Sequence, residues 1–454
     1  LATQSGDLTT GPAADLSTNF PPLVGSIDPG RARTSGGVTV TVSGSGFVDG
    51  AKLALSFGGT PASNVKFVSS STVTATLPAR AGTLGAVKVD FTNGNGTVVS
   101  NPDLFNYVLD MVSFAAPTSQ TTGAASGPRG IVVADIDGDK LTDIATANAD
   151  NNTVTFFKGK GDGTLGSGVA MPVGGYPFML ARGDVNGDGR MDLLTPNQVG
   201  NSLNILYLKA DGTFDNQSYA VACGGAQAAA VADVDGDQDN DVVLACYKDG
   251  NIKVLLNKGN NMFDVKTVSY GLKPYSLTLA DANGDNSPDI LTANSDSANV
   301  SVLLNDGSGG FTLSKSYAAG TGPFYVEMVD LNRDGYPELA VANSADAVNI
   351  LPGLPDRTFD KPVAITVAGR PEVLLTTDLD GDLNPDLIIP SLNSGAVTVL
   401  LGKGDRTFNA PIALRAGTKP NALGVGVMDA SGLPTLAVTN YGDSTISLFK
   451  NTSK

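Results

Sequence analysis

Apolar and polar residues alternate through the first quarter of this chain, and glycine-rich turns interrupt the alternation every eight to twelve residues or so. The segments VTVTVSGSGF (38–47), AKLALSFGG (51–59), STVTATLPA (71–79) and AVKVDFTNGNG (86–96) each place apolar side chains at every second position. A period of two puts those side chains on one face of a strand. Their β-branched content and close turn spacing predict a small β-sandwich over residues 20–109. Ahead of it, LATQSGDLTTGPAADLSTN (1–19) is small, polar and aperiodic, and reads as a tail or linker.

From residue 110 to the end the pattern itself repeats. Acidic clusters begin at Asp135, Asp184, Asp233, Asp281, Asp330 and Asp378, at intervals of 49, 49, 48, 49 and 48, and a degenerate seventh begins at Asp429, 51 residues on. A fixed period of this length signals a repeat architecture. Each unit has a short apolar run ending at its cluster (KPYSLTLAD), a second after it (DILTANS), a third (NVSVLLN), and a glycine-aromatic turn (GSGGF) leading to a fourth. Four strands per unit make one blade, so residues 110–454 predict a seven-bladed β-propeller. The last unit lacks a fourth strand. The orphan strand near 111–119 is expected to supply it, pairing beside 444–450 and closing the ring.

The clusters keep oxygen-bearing side chains at positions 1, 3, 5 and 9. They are Asp135, Asp137, Asp139 and Asp143; Asp184, Asn186, Asp188 and Asp192; Asp233, Asp235, Asp237 and Asp241; Asp281, Asn283, Asp285 and Asp289; Asp330, Asn332, Asp334 and Glu338; Asp378, Asp380, Asp382 and Asp386. Crowded carboxylates repel unless a cation sits among them. Ca²⁺ takes six to eight oxygens in irregular geometry, whereas Mg²⁺ holds to a strict octahedron and keeps its waters. Alternate residues of a tight loop can turn three side chains inward. A backbone carbonyl at position 7, from Leu141, Arg190, Asp239, Ser287, Tyr336 or Asn384, then closes the shell with position 9. Glycine at position 4 in five of the six loops lets the chain bend around the ion. An EF-hand is excluded, because position 12 is Thr146 in the first loop and Leu244 in the third rather than glutamate. About six Ca²⁺ ions are expected, and none at the shortened seventh loop. Twelve positive charges would offset most of the formal −16. A general acid–base role for the same aspartates fits less well, since six near-equivalent sites describe a structural device rather than one active centre.

Composition narrows the chemistry. The chain has no histidine and no tryptophan, which removes histidine-dependent triads and His-ligated zinc. A net charge of −16 makes it a poor partner for nucleic acid. No apolar run approaches the roughly 20 residues of a membrane-spanning helix. Residue 1 is Leu, and a processed chain is expected whose export signal is already gone. Cys223 precedes the first strand of the third unit and Cys246 ends its second. Antiparallel pairing brings them to the same end of the blade, so a disulfide and a pair of buried thiols are the alternatives.

With these residues in view, 110–454 resembles the FG-GAP/VCBS repeat family, the calcium-binding propeller also found in the integrin α-subunit head. The D-x-[DN]-x-D-x-x-x-[DE] loops and the turns GDGTLG, ADGTF, GSGGF and DRTF carry the resemblance. It implies Ca²⁺ in hairpin loops between the first two strands of six blades, all on one face. Residues 20–109 resemble the IPT/TIG immunoglobulin-like module through SIDPG (26–30), Gly36-Gly37, FGG (57–59), TLP (76–78) and FNYV (105–108). Some relatives of that module bind DNA, but six basic residues against four acids form no basic cluster here. The expected function is a secreted or cell-surface, calcium-binding, non-catalytic adhesion protein that recognises a protein or glycan on a cell surface or matrix. Recognition would use loops on the face away from the metal. Two alternatives are a structural subunit of an extracellular filament or surface layer, built from copies of itself, and a lectin stacking sugars on Tyr176, Tyr275 and Tyr325, whose other role is packing. An enzyme related to propeller-bearing polysaccharide lyases is the least supported, for want of a convergent catalytic set.

Overall fold

A computed structural model describes residues 21–80, 85–109, 111–270 and 272–453. The tail assigned to residues 1–19 lies outside the described residues. The described chain is essentially all β, with one 3₁₀ turn at Ser295–Ser297. It forms two compact units, a sandwich ending near Met111 and a larger unit comprising most of the remaining chain.

In the sandwich, one sheet orders Leu23–Asp28, Thr39–Ser45, Thr72–Thr76 and Ser63–Ser69 side by side. The other orders Arg31–Arg33, Val98–Val108, Gly85–Thr92, Ala54–Phe57 and Thr60–Pro61. The alternation read from sequence is the burial pattern found. Val40, Val42, Val73, Val89 and Phe91 are at most 2% exposed, while their neighbours in sequence face outward. Phe57, Phe105 and Tyr107 fill the centre as two edge-to-face pairs, and the Tyr107 hydroxyl donates to the Pro78 carbonyl (2.8 Å).

The larger unit holds seven four-stranded antiparallel sheets among the described residues. Their second strands, such as Asp143–Asn148 and Asp289–Asn294, are buried at every position. A strand covered on both faces by neighbouring sheets must be apolar or small throughout, and these run Ile-Ala-Thr-Ala or Ile-Leu-Thr-Ala between polar ends. The fourth strands, such as Phe263–Ser269, are mostly exposed. Adjacent sheets share hydrophobic clusters: the first with the second through Ile136 and Leu206, the third with the fourth through Val254 and Ile290. The first also packs against the last, with Ile144, Phe157 and Leu165 meeting Met428, Ala437 and Ile446. That closes the series, an arrangement consistent with a propeller. Thr118–Thr121 pairs antiparallel with Thr445–Phe449 as the fourth strand of the last sheet. The regular pairing starts later than the 111–119 read from sequence, because the stretch before it makes only a bridge at Phe114–Asn451 and single bonds around Ser113 and Ala115.

Four of the seven buried second strands end in a polar latch. Asn148, Asn197, Asn294 and Asn440 each close the hairpin to the third strand, donating to Thr153 and Thr155, Ser202 and Asn204, Asn299 and Ser301, and Thr445 and Ser447. In the third sheet this position is Cys246, which forms a disulfide with Cys223, both side chains fully buried. Cross-linking across 23 residues restricts the unfolded chain by about 3 kcal/mol. The double variant Cys223→Ser/Cys246→Ser is expected to lose about that much in urea denaturation, with reductant costing the wild type the same. A loss under 1 kcal/mol would show that packing alone holds this corner.

Candidate metal centres

Each acidic loop starts where the first strand of a sheet ends and is wound up by its own carboxylates. The position 1 side chain turns back over the loop: Asp135 accepts the amides of Gly138 (2.8 Å) and Lys140 (2.9 Å), and Asp233 those of Gly236 (2.7 Å) and Gln238 (3.0 Å). Asp184, Asp281, Asp330 and Asp378 do the same with amides up to position 6. Such tight winding puts positions 4 and 6 in the left-handed region in all six loops. Glycine fills position 4 except for Arg333 (φ 61°). Position 6 is Lys140, Gln238, Asn286 and Leu383 in four loops, at a cost of about 1 kcal/mol each.

Position 9 is the first residue of the second strand rather than part of the loop. Asp143, Asp192, Asp241, Asp289, Glu338 and Asp386 are all 0% exposed. One oxygen of each accepts the amide of position 2, as in Asp241 with Val234 (2.9 Å) and Asp386 with Leu379 (2.7 Å). The other accepts an amide just past the third strand or at its end: Gly159 to Asp143, Leu208 to Asp192, Asn257 to Asp241, Asn305 to Asp289, Gly402 to Asp386. This carboxylate staples loop, second strand and third strand together. Burial pushes the carboxyls of Asp143, Asp241 and Asp289 up and that of Asp192 to about 6, against the pull of these amides. A cation beside them would restore the ionised form.

Carboxylate oxygens from positions 1, 3 and 9 lie within 4.8 Å of one another in the first, third and sixth loops: Asp135, Asp137 and Asp143; Asp233, Asp235 and Asp241; Asp378, Asp380 and Asp386. In the other loops position 3 is Asn186, Asn283 or Asn332, whose amide donates to the position 5 carboxylate (2.8–3.0 Å). The position 5 residues lie outside the three groups. Asp139, Asp188, Asp237, Asp285 and Asp334 turn an oxygen onto the amide of position 7, that of Leu141, Arg190, Asp239, Ser287 or Tyr336. Asp382 and Asn384 hold the corresponding places in the sixth loop. Two position 3 oxygens, Asp235 Oδ1 and Asn332 Oδ1, are buried with no hydrogen-bond partner. Buried oxygens rarely go unpaired. Their place among carboxylates fits a hard divalent cation.

Sequence reasoning missed the side-chain cations beside the loops. Lys158 Nζ lies 2.6 Å from Asp137 and 3.1 Å from Asp139, and Lys258 Nζ lies 3.5 Å from Asp235. Both follow the third strand, where only a Lys after a hydrophobic run marked them. Arg406, from the following sheet, reaches Glu338 (2.8 Å) and Asp334 (3.0 Å) in the fifth loop. At the shortened seventh loop, Lys450 Nζ sits 2.7 Å from Asp429 and holds its carboxyl down at about 2. Thr435 stands there where the other loops have the buried acid. Neighbouring sheets are tied at the same level, as Asn257 and Asn305 donate to the carbonyls of Val185 (2.7 Å) and Val234 (2.9 Å) in the preceding sheet's loop.

With that geometry in place, comparison with known proteins gives the class. Residues 22–107 match the IPT/TIG domain, and residues 135–195, 184–244, 233–292 and 281–341 match the FG-GAP-like repeat. The chain therefore carries a match to a TIG domain followed by four matches to an FG-GAP-like repeat, the latter within a series of four-stranded sheets consistent with a propeller. No curated protein matches it. Among solved structures, the lead-soaked crystal of BBS1N in complex with ARL6DN is similar, with TM-score 0.55 and 13% identity over 74% of this chain and 96% of that one. A candidate 6-phosphogluconolactonase from Bacteroides uniformis ATCC 8492 gives TM-score 0.50 and 14% identity, covering 81% and 98%. At such identity the likeness is one of fold. No helix among the described residues is long and apolar enough to cross a membrane.

Proposed function

We propose that the larger unit is a closed seven-bladed propeller stiffened by Ca²⁺ in six loops. The protein then acts as a secreted or cell-surface interaction module without catalytic activity. The observation that carries this is the repeated loop itself: carboxylates gathered on a buried acid, with the oxygens of Asp235 and Asn332 left unpaired among them. All the side-chain donors are hard oxygens, which favours Ca²⁺ over softer metals. The ions would brace the hairpin between the first two strands of each blade, leaving the opposite loops to vary. The buried Cys223–Cys246 disulfide supports an oxidising setting outside the cell. Residues 22–107 would serve as a spacer or second contact surface.

The reading is tested by calorimetric titration of the chelator-stripped chain with CaCl₂. About six ions should bind, with dissociation constants on the order of 10⁻⁴ to 10⁻³ M, the range of extracellular calcium modules. The first and fifth loops should fill late, because Lys158 must first leave Asp137 and Asp139, and Arg406 must leave Asp334 and Glu338. Absence of any calcium-dependent heat would end the proposal.

A further inference from the structure

At the ends of the first strands opposite the acidic loops, a small set of charged and aromatic residues surrounds the mouth of an internal channel. Glu372 is 3% exposed and takes two guanidiniums, Arg370 Nη2 (2.9 Å) and Arg129 Nη1 (3.4 Å), together with the Asn421 amide. Arg129 lies over the rings of Phe178 (5.2 Å) and Tyr441 (4.5 Å), and Arg370 over Phe324 (5.0 Å). Tyr275 stands between Phe178 and Phe324, with ring centroids 5.7 and 4.5 Å away. Beneath the mouth is a cavity of about 170 Å³ whose apolar wall includes Ile131, Met179, Leu277, Val373 and Leu423.

The cluster is not satisfied from within. Of the two guanidiniums Glu372 engages only Nη atoms, and Nε of both Arg129 and Arg370 is buried without a partner. Two guanidiniums against one carboxylate leave one positive charge to be met. Arginine's planar fork favours a second carboxylate in bidentate contact. The cavity is smaller than the roughly 300 Å³ at which drug-sized sites begin, so it suits one short apolar group. The apolar part of the wall, Ile131, Met179, Leu277, Val373 and Leu423, also argues against a sugar, whose hydroxyls would lose their water there.

We infer that this channel mouth binds an organic carboxylate on a short apolar stem. The carboxylate lies against Arg129 and Arg370, and the stem enters the channel past Ile131 and Leu277. The group is either a free small acid or the C-terminal residue of a partner polypeptide. This deepens the proposed recognition role of the face away from the loops, but it does not depend on calcium occupying them.

The test is calorimetry on the full chain in 1 mM CaCl₂ with four probes: 4-methylpentanoate, an acetylated tetrapeptide ending in leucine, the same peptide as its C-terminal amide, and glucuronate. The peptide acid should bind and its amide should be at least about tenfold weaker, since the charge-assisted pair is lost. Arg370→Gln should weaken the acid about tenfold. Ala229→Leu, which fills the channel, should do so too, and each variant is titrated at a temperature where circular dichroism shows it folded, since Arg370→Gln also gives up an ion pair to the buried Glu372. Binding of 4-methylpentanoate as tight as the peptide acid supports the site and assigns it to small acids, whereas much tighter peptide binding assigns it to a chain terminus. Equal binding of acid and amide, a preference for glucuronate, or no binding by either acid overturns the inference. Calcium titrating normally into a chelator-stripped portion of the same preparation would show that the propeller reading survives.

Discussion

Asp241→Ala will destabilise the larger unit by about 4 kcal/mol, and the loss will persist in EGTA. The wild-type carboxylate is wholly buried and accepts the amides of Val234 (2.9 Å) and Asn257 (2.8 Å). Truncation leaves two buried donors orphaned, at about 1–3 kcal/mol each. It also frees the end of the third strand, whose Asn257 is the latch to the preceding sheet. Asp235→Ala in the same loop should behave differently. Its carboxylate faces Lys258 at 3.5 Å, its Oδ1 has no partner, and no backbone amide is tied to its side chain. That variant should be nearly neutral in EGTA and should lose only the gain that calcium brings. Urea denaturation of both variants, with and without calcium, separates the roles. If Asp235→Ala cost as much as Asp241→Ala in EGTA, the division into staple and ligand would be wrong.

That division also marks how far the sequence could be read. The period of 48 to 51 residues, together with the alternating strands, was enough to lay out the sandwich and the series of four-stranded units, because burial on one face or on both leaves a different residue pattern. The crowding of carboxylates was legible too, since electrostatics makes such clusters costly without a counter-charge. Position 9 was not. In the sequence Asp143 and Asp241 look like Asp137 and Asp235, and only the fold shows that one pair begins a buried strand while the other borders it. Lys158, Lys258 and Arg406 were equally silent. They are brought to the loops by strand pairing or by the following sheet, and distance along the chain says nothing of that. The asparagines that end the second strands repeat visibly, yet their role as hairpin latches needs the partner strand. Cys246, which like Ser391 breaks the asparagine series, explains itself only through its disulfide to Cys223. Tyr275 and Tyr325 were visible as aromatic residues near strand starts, but the guanidiniums over the neighbouring rings, which make the channel mouth distinctive, come from other sheets.

Removing calcium should lower the melting temperature of the larger unit by roughly 10 °C, and the size of that drop should depend on pH. At about ten times its dissociation constant each ion contributes about 1.4 kcal/mol. Several loops filled together therefore give several kcal/mol, which a unit of this size converts to the stated shift at about 2 °C per kcal/mol. The pH dependence comes from the buried acids. Burial raises the folded-state carboxyls of Asp143, Asp241 and Asp289, and that of Asp192 to about 6, above the ordinary carboxylate range. For an acid raised in this way, the stabilisation is fully present below the unfolded value near 4 and is lost as pH rises through the folded value. Ion-free protein therefore sheds the contribution of Asp192 between about pH 4 and 6 and those of the other three as pH rises above about 4, while calcium, which needs the ionised form, gains its hold as they ionise. The calcium-induced rise in melting temperature should be small at pH 4.5, grow steeply, and level off above pH 6.5. Asp192→Asn should flatten the part of that curve near pH 6. Lysines 158, 258 and 450 set the baseline in EGTA, since each already places one positive charge against a loop carboxylate. A calcium effect as large at pH 4.5 as at pH 7 would mean that the ions are not held by these buried carboxylates.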